Sequence, residues 1–475
     1  MAILAIDQGT SGTKAVVVDD DGIVAVAERE LRPRYLSGGG VEQDPQELLQ
    51  SVLDSGREAA TSAGRRLTAV ALANQGETVL AWDPATGEPL TTALSWQDRR
   101  AESICAELAG HAEEIRSRTA LQLDPYFSAP KMAWLRRNLT RDGVVTTTDT
   151  WLVHQLTGEF VTDTSTASRS LLLDIDEVAW DERLLELFGL PGERLPRLVT
   201  SDEVVGTTTA FGDEVPVAGL IVDQQAALLA EGCLDRGTAK CTYGTGAFLL
   251  VNLGDHAPRF DNGLTTSIAW TLRGRTSYCA DGQVYTAASA VRWLCDLGLI
   301  ESAAELDSVA ADSSDGVVCA PSFAGLAAPW WRPDARAFLS GMSLSTGRPQ
   351  IVRAVLEGIS AQVAELAALT DEELGAPLVR LRVDGGLTRS RVLMQSQADL
   401  LQTPIDIYGS EHATALGAAA AARLALDPAL DVADAPLPWT PAHTFTPTWS
   451  ETESARFRRR WRAAVDADLT RGDHA

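Results

Sequence analysis

The stretch Ile3-Leu4-Ala5-Ile6-Asp7-Gln8-Gly9-Thr10-Ser11-Gly12-Thr13-Lys14-Ala15-Val16-Val17-Val18 decides how this chain is read. Two short apolar runs flank a corner of glycines and hydroxyl residues, which spells strand, turn, strand. The first strand delivers an acid, Asp7, to a corner that offers free backbone N–H groups and the hydroxyls of Thr10, Ser11 and Thr13. A carboxylate beside a phosphate cradle suits a Mg-nucleotide, because Mg²⁺ is held by one or two carboxylates plus phosphate oxygens. A glycine-rich hairpin with a solvated Asp7 would read the same way, and a short glycine motif alone does not separate the two.

Working outward, the chain has 475 residues, more than one core usually serves, so two domains are expected. A hydrophobic content of 45% with 22% charged residues is that of a soluble globular protein. The formal charge of −25 argues against a nucleic-acid backbone or an anionic membrane as partner. The six cysteines form no CxxC pair and read as core thiols, and the six histidines show no metal-ligand spacing. The N-terminus enters a strand without a signal-like segment, and no run approaches the roughly 18 apolar residues of a membrane span. A cytoplasmic location is expected.

After the hairpin the pattern is α/β. A helix opened by Asp44 and Pro45 runs to Ala63, and the buried strand Leu67 to Ala73 ends in Asn74-Gln75-Gly76-Glu77-Thr78. Polar residues at strand ends are typical of ligand sites in open α/β sheets. Near residue 220 the pattern restarts. The strand Val217 to Val222 ends in Asp223-Gln224-Gln225, a helix follows from Ala226, and Ala239 to Val251 is a second apolar hairpin with the corner Gly244-Thr245-Gly246. Val379 to Val383 is a strand breaking at Asp384-Gly385-Gly386, with a helix expected over 389–401. This weak duplication suggests two similarly folded halves, 1–230 and 231–475, facing a cleft. A Pro- and Trp-containing tail from Asp427 ends in a helix over 451–469.

Several separated segments resemble one family, the carbohydrate kinases of the glycerol kinase/xylulokinase (FGGY) group, and lie closest to its glycerol kinases. They are 7–10, 74–78, 95–100, 123–128, 149–152, 223–228, 242–246, 353–359 and 383–386, in order along essentially the whole chain. The resemblance implies two ribonuclease H-like (actin-like ATPase) α/β domains with the active site between them. It also implies closure of the cleft on substrate, which would exclude water.

The activity so implied is ATP-dependent phosphorylation of a primary hydroxyl of a small polyol or sugar, either glycerol or a four- to five-carbon polyol. Such a reaction needs a carboxylate to orient the alcohol and accept its proton. Asp223 matches that base; read by itself, it would sooner be taken as the N-cap of the following helix. Asp7 matches the metal-associated acid. Thr10, Ser11, Lys14, Thr245, Gly246, Gly385 and Gly386 match the nucleotide side, where Arg292 and Ser390 depart from the family's Gln and Asn. Gly386 is expected to open a helix facing the nucleotide. Glu77, Trp96, Tyr126, Asp223, Gln224 and Phe248 match the polyol-binding set.

Gly76 stands where glycerol kinases carry an arginine. Its lack of a side chain is expected to remove donors and leave room for a larger ligand or water. The alternative function class is a catalytically weak homologue acting as a regulatory or binding protein. The resemblance is compatible with a homodimer or homotetramer, and the sequence does not choose between them.

Overall fold

The computed structural model describes residues 1–472. The opening stretch forms β1 (Ile3–Gln8) and β2 (Gly12–Asp19), antiparallel, followed by β3 (Gly22–Glu30). Ile3 to Ile6 and Ala15 to Val18 are buried on both faces, so this hairpin is the spine of a sheet and not an edge. Helix α1 (Pro45–Ala63) covers one side; Asp44 caps it by accepting from the Gln46 N–H at 2.9 Å, and Gly64 closes it in the left-handed conformation. Strands β4 (Ala69–Asn74), β5 (Val204–Thr208) and β6 (Val215–Val222) complete a six-stranded sheet ordered β5-β6-β4-β1-β2-β3, in which β1, β4 and β6 are parallel. Helix α2 (Asp223–Ala230) leaves β6 directly.

The second sheet uses β7 (Ala239–Tyr243), β8 (Ala247–Gly254), β9 (Thr265–Leu272) and β10 (Arg275–Val284). Helices α3 (Ala288–Asp296) and α4 (Arg348–Leu374) precede β11 (Leu381–Asp384), and α5 (Arg391–Leu401) precedes β12 (Ile405–Ile407). After α6 (Ala413–Leu426) come β13 (His443–Phe445) and α7 (Glu451–Gly472). The sheet order is β9-β10-β8-β7-β11-β12-β13, with β7, β11 and β12 parallel. Each half therefore has an antiparallel hairpin whose first strand lies beside parallel strands, and the repeat seen in the sequence is a repeat of topology.

The halves do not own their cores separately. Helix α6 belongs to the second half by sequence but packs on α2 and on β6, β4 and β1 of the first sheet. Its alanines share one apolar core with Ile3, Ala71 and Ile221. The approach is close enough that a Cβ at Gly417 would collide with the Ala226 backbone. No helix among the described residues is long and apolar enough to cross a membrane.

Candidate active site

The parallel strands of both sheets point their C-terminal ends at the same cleft, as ligand sites in open α/β sheets require. From the first sheet come Asp7 on β1, Asn74 on β4 and Asp223, the first residue of α2. From the second come Thr242 on β7 and, directly beside it in register, Asp384 on β11. Val222 is the N-cap residue of α2, and the Asp223 carboxylate accepts from the neighbouring Gln224 N–H at 2.6 Å. The helix-cap reading of Asp223 is thus not realised.

These acids share a poorly solvated space. Burial pushes Asp7 up to about 7, helped by the charges of Asp223 and Asp384 and opposed by Lys14. Burial likewise raises Asp223 and Asp384, and in both the largest opposing influence is Lys240. Lys240 is fully buried on β7. Its ammonium donates to the Gln224 side-chain oxygen and, at 2.8 Å, to the Thr242 hydroxyl. With its oxygen so engaged, Gln224 has its amide N–H groups left to offer a ligand.

The expected polyol side chains converge. Trp96 stacks edge-on against Tyr126, with centroids 5.5 Å apart, and against Phe248 at 6.3 Å. Phe248 lies on β8, so both halves build this aromatic cage. The Trp96 indole N–H donates to the Thr10 hydroxyl at 2.9 Å, tying the cage to the first hairpin. Tyr126 sits on a loop gripped from beneath by the fully buried Lys131, whose ammonium donates to the carbonyls of Pro125, Tyr126 and Phe127. Glu77 is buried and holds a left-handed backbone, with φ of 61°. A cleft of about 360 Å³ opens beside Trp96 and Tyr126 and is bounded across the way by Tyr285 and Pro333.

The Cβ side of Gly76 is closely bordered. A Cβ built there would lie 3.0 Å from Val222 Cγ2 and 3.7 Å from Arg169 Cδ and Nε. Arg169 itself is buried and its guanidinium pairs with Glu77.

On the nucleotide side, Lys14 lies opposite Asp7 in the hairpin register and 3.9 Å from Glu28. Ser11 is exposed at the corner of the first hairpin and Thr245 at that of the second. Thr13 is not available as expected, since its hydroxyl is buried against Ser51 of α1 at 2.7 Å. Gly246 is buried beneath Thr245, where the Ala287 N–H donates to the Thr245 carbonyl at 2.8 Å. Gly385 has φ of 94°, and a Cβ there would lie 2.5 Å from the Tyr243 carbonyl oxygen, so only glycine lets β11 turn this tightly against the second hairpin. Gly386 opens a short 3₁₀ turn, Gly386–Arg389, and not the expected helix. The helix starts two residues past that expectation, at Arg391, because Ser390 caps it by accepting from the Leu393 N–H while donating to Asp307 at 2.7 Å. Arg292 is exposed on α3.

Three residues of the site were missed in the sequence: Asp384, Lys240 and Arg169. Asp384 alone carried a signal, an acid at a strand end before a glycine turn, as Asp7 is.

Two family models cover the chain in order: the FGGY family of carbohydrate kinases, N-terminal domain, over residues 2–230, and its C-terminal domain over residues 239–426. The chain belongs to the FGGY family of carbohydrate kinases. It is an ATP-dependent kinase of small polyols or sugars. A glycerol kinase of Alkalilimnicola ehrlichii is 42% identical over 98% of this chain and 97% of its own length. One of Aromatoleum aromaticum is 42% identical over 98% of both chains. Among solved structures, a Plasmodium falciparum glycerol kinase with ADP superposes with a TM-score of 0.91 at 31% identity, covering 98% of each chain. A ligand-bound xylulose kinase from Lactobacillus acidophilus reaches 0.89 at 21% identity over 99% of this chain and 98% of that one, which shows a common fold. Two actin-like α/β domains about a cleft are thus the architecture of this FGGY kinase.

Proposed function

We propose that this FGGY kinase transfers the γ-phosphoryl group of ATP to a primary hydroxyl of glycerol, with Asp223 as general base. The observation that carries the reading is the cage of Trp96, Tyr126 and Phe248, with Glu77 joined to Tyr126 through Arg169 and with Asp223, next to Gln224, near enough for its charge to act on both Glu77 and Tyr126. The close border of Val222 and Arg169 beside Gly76 supports glycerol over the longer polyols that an enlarged pocket would take. The glycerol kinases among the relatives support the same choice.

In this reading Trp96 and Phe248 pack on the C–H faces of the polyol. Asp223 accepts the proton of the attacking hydroxyl, and Gln224, oriented by Lys240, donates to an oxygen of the ligand. The charge of Lys240 favours the ionised Asp223 that a base must be, against the effect of burial. Because Trp96 and Tyr126 come from one half and Phe248 from the other, a full cage exists only with the halves together, and water is excluded when the cleft closes.

Mg²⁺ belongs to the same proposal. Asp7 and Asp384 fit it: Asp384 has a buried carboxylate oxygen without a partner among the described residues, and Asp7 is an acid starved of positive charge. No group of three or more His, Cys, Asp or Glu side chains able to hold a metal occurs among the described residues. Bound with ATP, the ion neutralises charge on the phosphate oxygens. The location in the cytoplasm and the assembly state are expectations of the sequence reading carried forward with it.

The test is ADP release from Mg-ATP with glycerol, erythritol, threitol, ribitol, xylitol, arabinitol and xylulose. Glycerol should give the highest kcat/KM, and Asp223→Asn should lower kcat by about 10²- to 10⁴-fold. A higher kcat/KM on a four- or five-carbon polyol would overturn glycerol. Silence across the panel in protein that binds ATP would favour a regulatory or binding homologue.

A further inference from the structure

Arg169 has no part in the reading above beyond its pairing with Glu77. It follows the short helix Thr164–Ser168 and is 5% exposed. Its Nε donates to Glu77, and its Nη2 donates to the Tyr126 hydroxyl at 3.2 Å. Its Nη1 faces the second half, 2.8 Å from Asp281 Oδ2 and 3.4 Å from Ser267 Oγ. One guanidinium thus touches two side chains of the polyol set and, across the cleft, two residues of the opposite half.

We propose that Arg169 is a positioning residue that sets the hydrogen-bond polarity of the polyol site and so selects its ligand. Resting on the reading of Glu77 and Tyr126 as polyol ligands, the inference adds what those groups demand. A guanidinium only donates. The Tyr126 oxygen accepts from Arg169, so the phenolic proton turns to the ligand and Tyr126 acts as a donor. Glu77 gives one oxygen to Arg169 and keeps the other as an acceptor; burial pushes its carboxyl up, and the neighbouring guanidinium opposes that push in favour of the carboxylate. A hydroxyl that gives its proton to Glu77 while accepting from Tyr126 satisfies both; a methyl or methylene in its place leaves both unpaired in a buried site.

The same side chain also limits size. The Val222 methyl and the stem of Arg169 lie 3.0 and 3.7 Å from where a Cβ at Gly76 would stand, so the guanidinium enters from residue 169 close to where an arginine at 76 would begin. The ligand class is a three-carbon polyol with adjacent hydroxyls.

The experiment compares steady-state kinetics on glycerol, 1,2-propanediol and 1,3-propanediol for the wild type, Arg169→Lys, Tyr126→Phe, their double variant and Gly76→Arg, with folding checked by circular dichroism. The wild type should prefer glycerol over the deoxy analogue that loses the paired hydroxyl by roughly 10³-fold or more in kcat/KM. Arg169→Lys keeps the charge but loses the fork. It should raise the glycerol KM about tenfold or more, change kcat by less than about threefold and shrink that preference at least tenfold. Tyr126→Phe should do the same, and the double variant should be little worse than either, since both remove one linkage.

An unchanged glycerol KM in Arg169→Lys, or losses that multiply in the double variant, would overturn the proposal. If Arg169→Lys does not fold, Tyr126→Phe and Gly76→Arg decide. Without the Tyr126 hydroxyl the preference for glycerol must shrink as stated, and an arginine at 76 must lower kcat/KM for glycerol about tenfold or more for want of space. The opposite result in either overturns the proposal. An active wild type with indifferent variants defeats this inference alone. A wild type that binds ATP yet turns over no polyol defeats the proposed function, and this inference with it.

Discussion

The two hairpins that face each other across the cleft have the same topology and different chemistry. The first, β1–β2, carries an acid, Asp7, one residue before the end of its leading strand, and its corner is braced from distant segments: the Trp96 indole on the Thr10 hydroxyl, the Gln43 amide on the Thr10 carbonyl at 2.8 Å and the Leu31 N–H on the Ser11 carbonyl at 2.9 Å. The second, β7–β8, ends its leading strand in Tyr243 and has its corner braced by the start of α3: the Ala287 and Ala288 N–H groups donate to the carbonyls of Thr245 and Gly244, and the Ser289 hydroxyl donates to the Thr245 carbonyl at 3.0 Å. Its acid has moved one strand over, to Asp384 on β11. The first half therefore supplies Asp7, Asp223 and most of the aromatic cage. The second supplies Asp384, Lys240 and Phe248, with corner glycines that tolerate the close approach of a phosphate chain. The lesson is that one repeated unit is specialised by which side chains stand beside its corner, the acid lying on the hairpin in one half and on the neighbouring strand in the other.

The largest way to break this comparison is to remove the cation that links the halves. Lys240 rises from the second hairpin to hold Gln224 beside Asp223 of the first half. Lys240→Met should lower kcat/KM about 10²-fold or more and cost about 1–3 kcal/mol of stability, since it leaves the buried Gln224 oxygen and Thr242 hydroxyl without their partner. Polyol-dependent ADP release and urea unfolding would check both numbers.

An intermediate effect is expected among the glycines of the second half. Gly385→Ala forces a left-handed conformation and a clash with the Tyr243 carbonyl, at about 1–3 kcal/mol. It should raise the KM for ATP about tenfold while leaving the polyol KM within about twofold. Equal changes in both constants would mean that the two corners are not specialised.

The smallest effect sharpens the comparison through pH. Asp7 titrates near 7 in the fold and near 3.8 when unfolded, because it is buried beside other acids. The folded protein therefore binds the extra proton between these values, and stability falls as pH rises from about 4 to about 7, then levels off. Thermal unfolding of the nucleotide-free protein should show that decline, and Asp7→Asn should flatten it by a few degrees. An Asp7→Asn melting curve with the wild-type pH dependence would place the titration elsewhere.

Much of the site was legible as short motifs because each lies at the end of a strand or on a loop within a few residues: Asp7 to Lys14, Gly76-Glu77, Asp223-Gln224 and Thr245-Gly246. The residues that escaped notice work across distance. Arg169 sits in a run of serines and threonines and meets Glu77, Tyr126 and Asp281 only after three separate segments have packed. Lys240 lies inside an apolar strand, where a lysine is expected to face solvent, and it turns inward because Gln224, Asp223 and Asp384 await it. The surroundings of Gly76 escaped notice for the same reason: an absent side chain signals free volume only if nothing else approaches, and Val222 and Arg169 border it closely.

By itself the amino-acid sequence determined the strand-turn-strand units, the repeat, the family and most of the side chains proposed for the site, because these depend on local periodicity and on residues adjacent along the chain. Tertiary structure alone decided that α6 of the second half would help build the first half's core, that an arginine from residue 169 would closely border Gly76, and that one buried lysine would orient the catalytic side. Those outcomes depend on which distant groups share a solvent-free volume, where an unpaired charge is too costly to leave and a cavity too costly to keep.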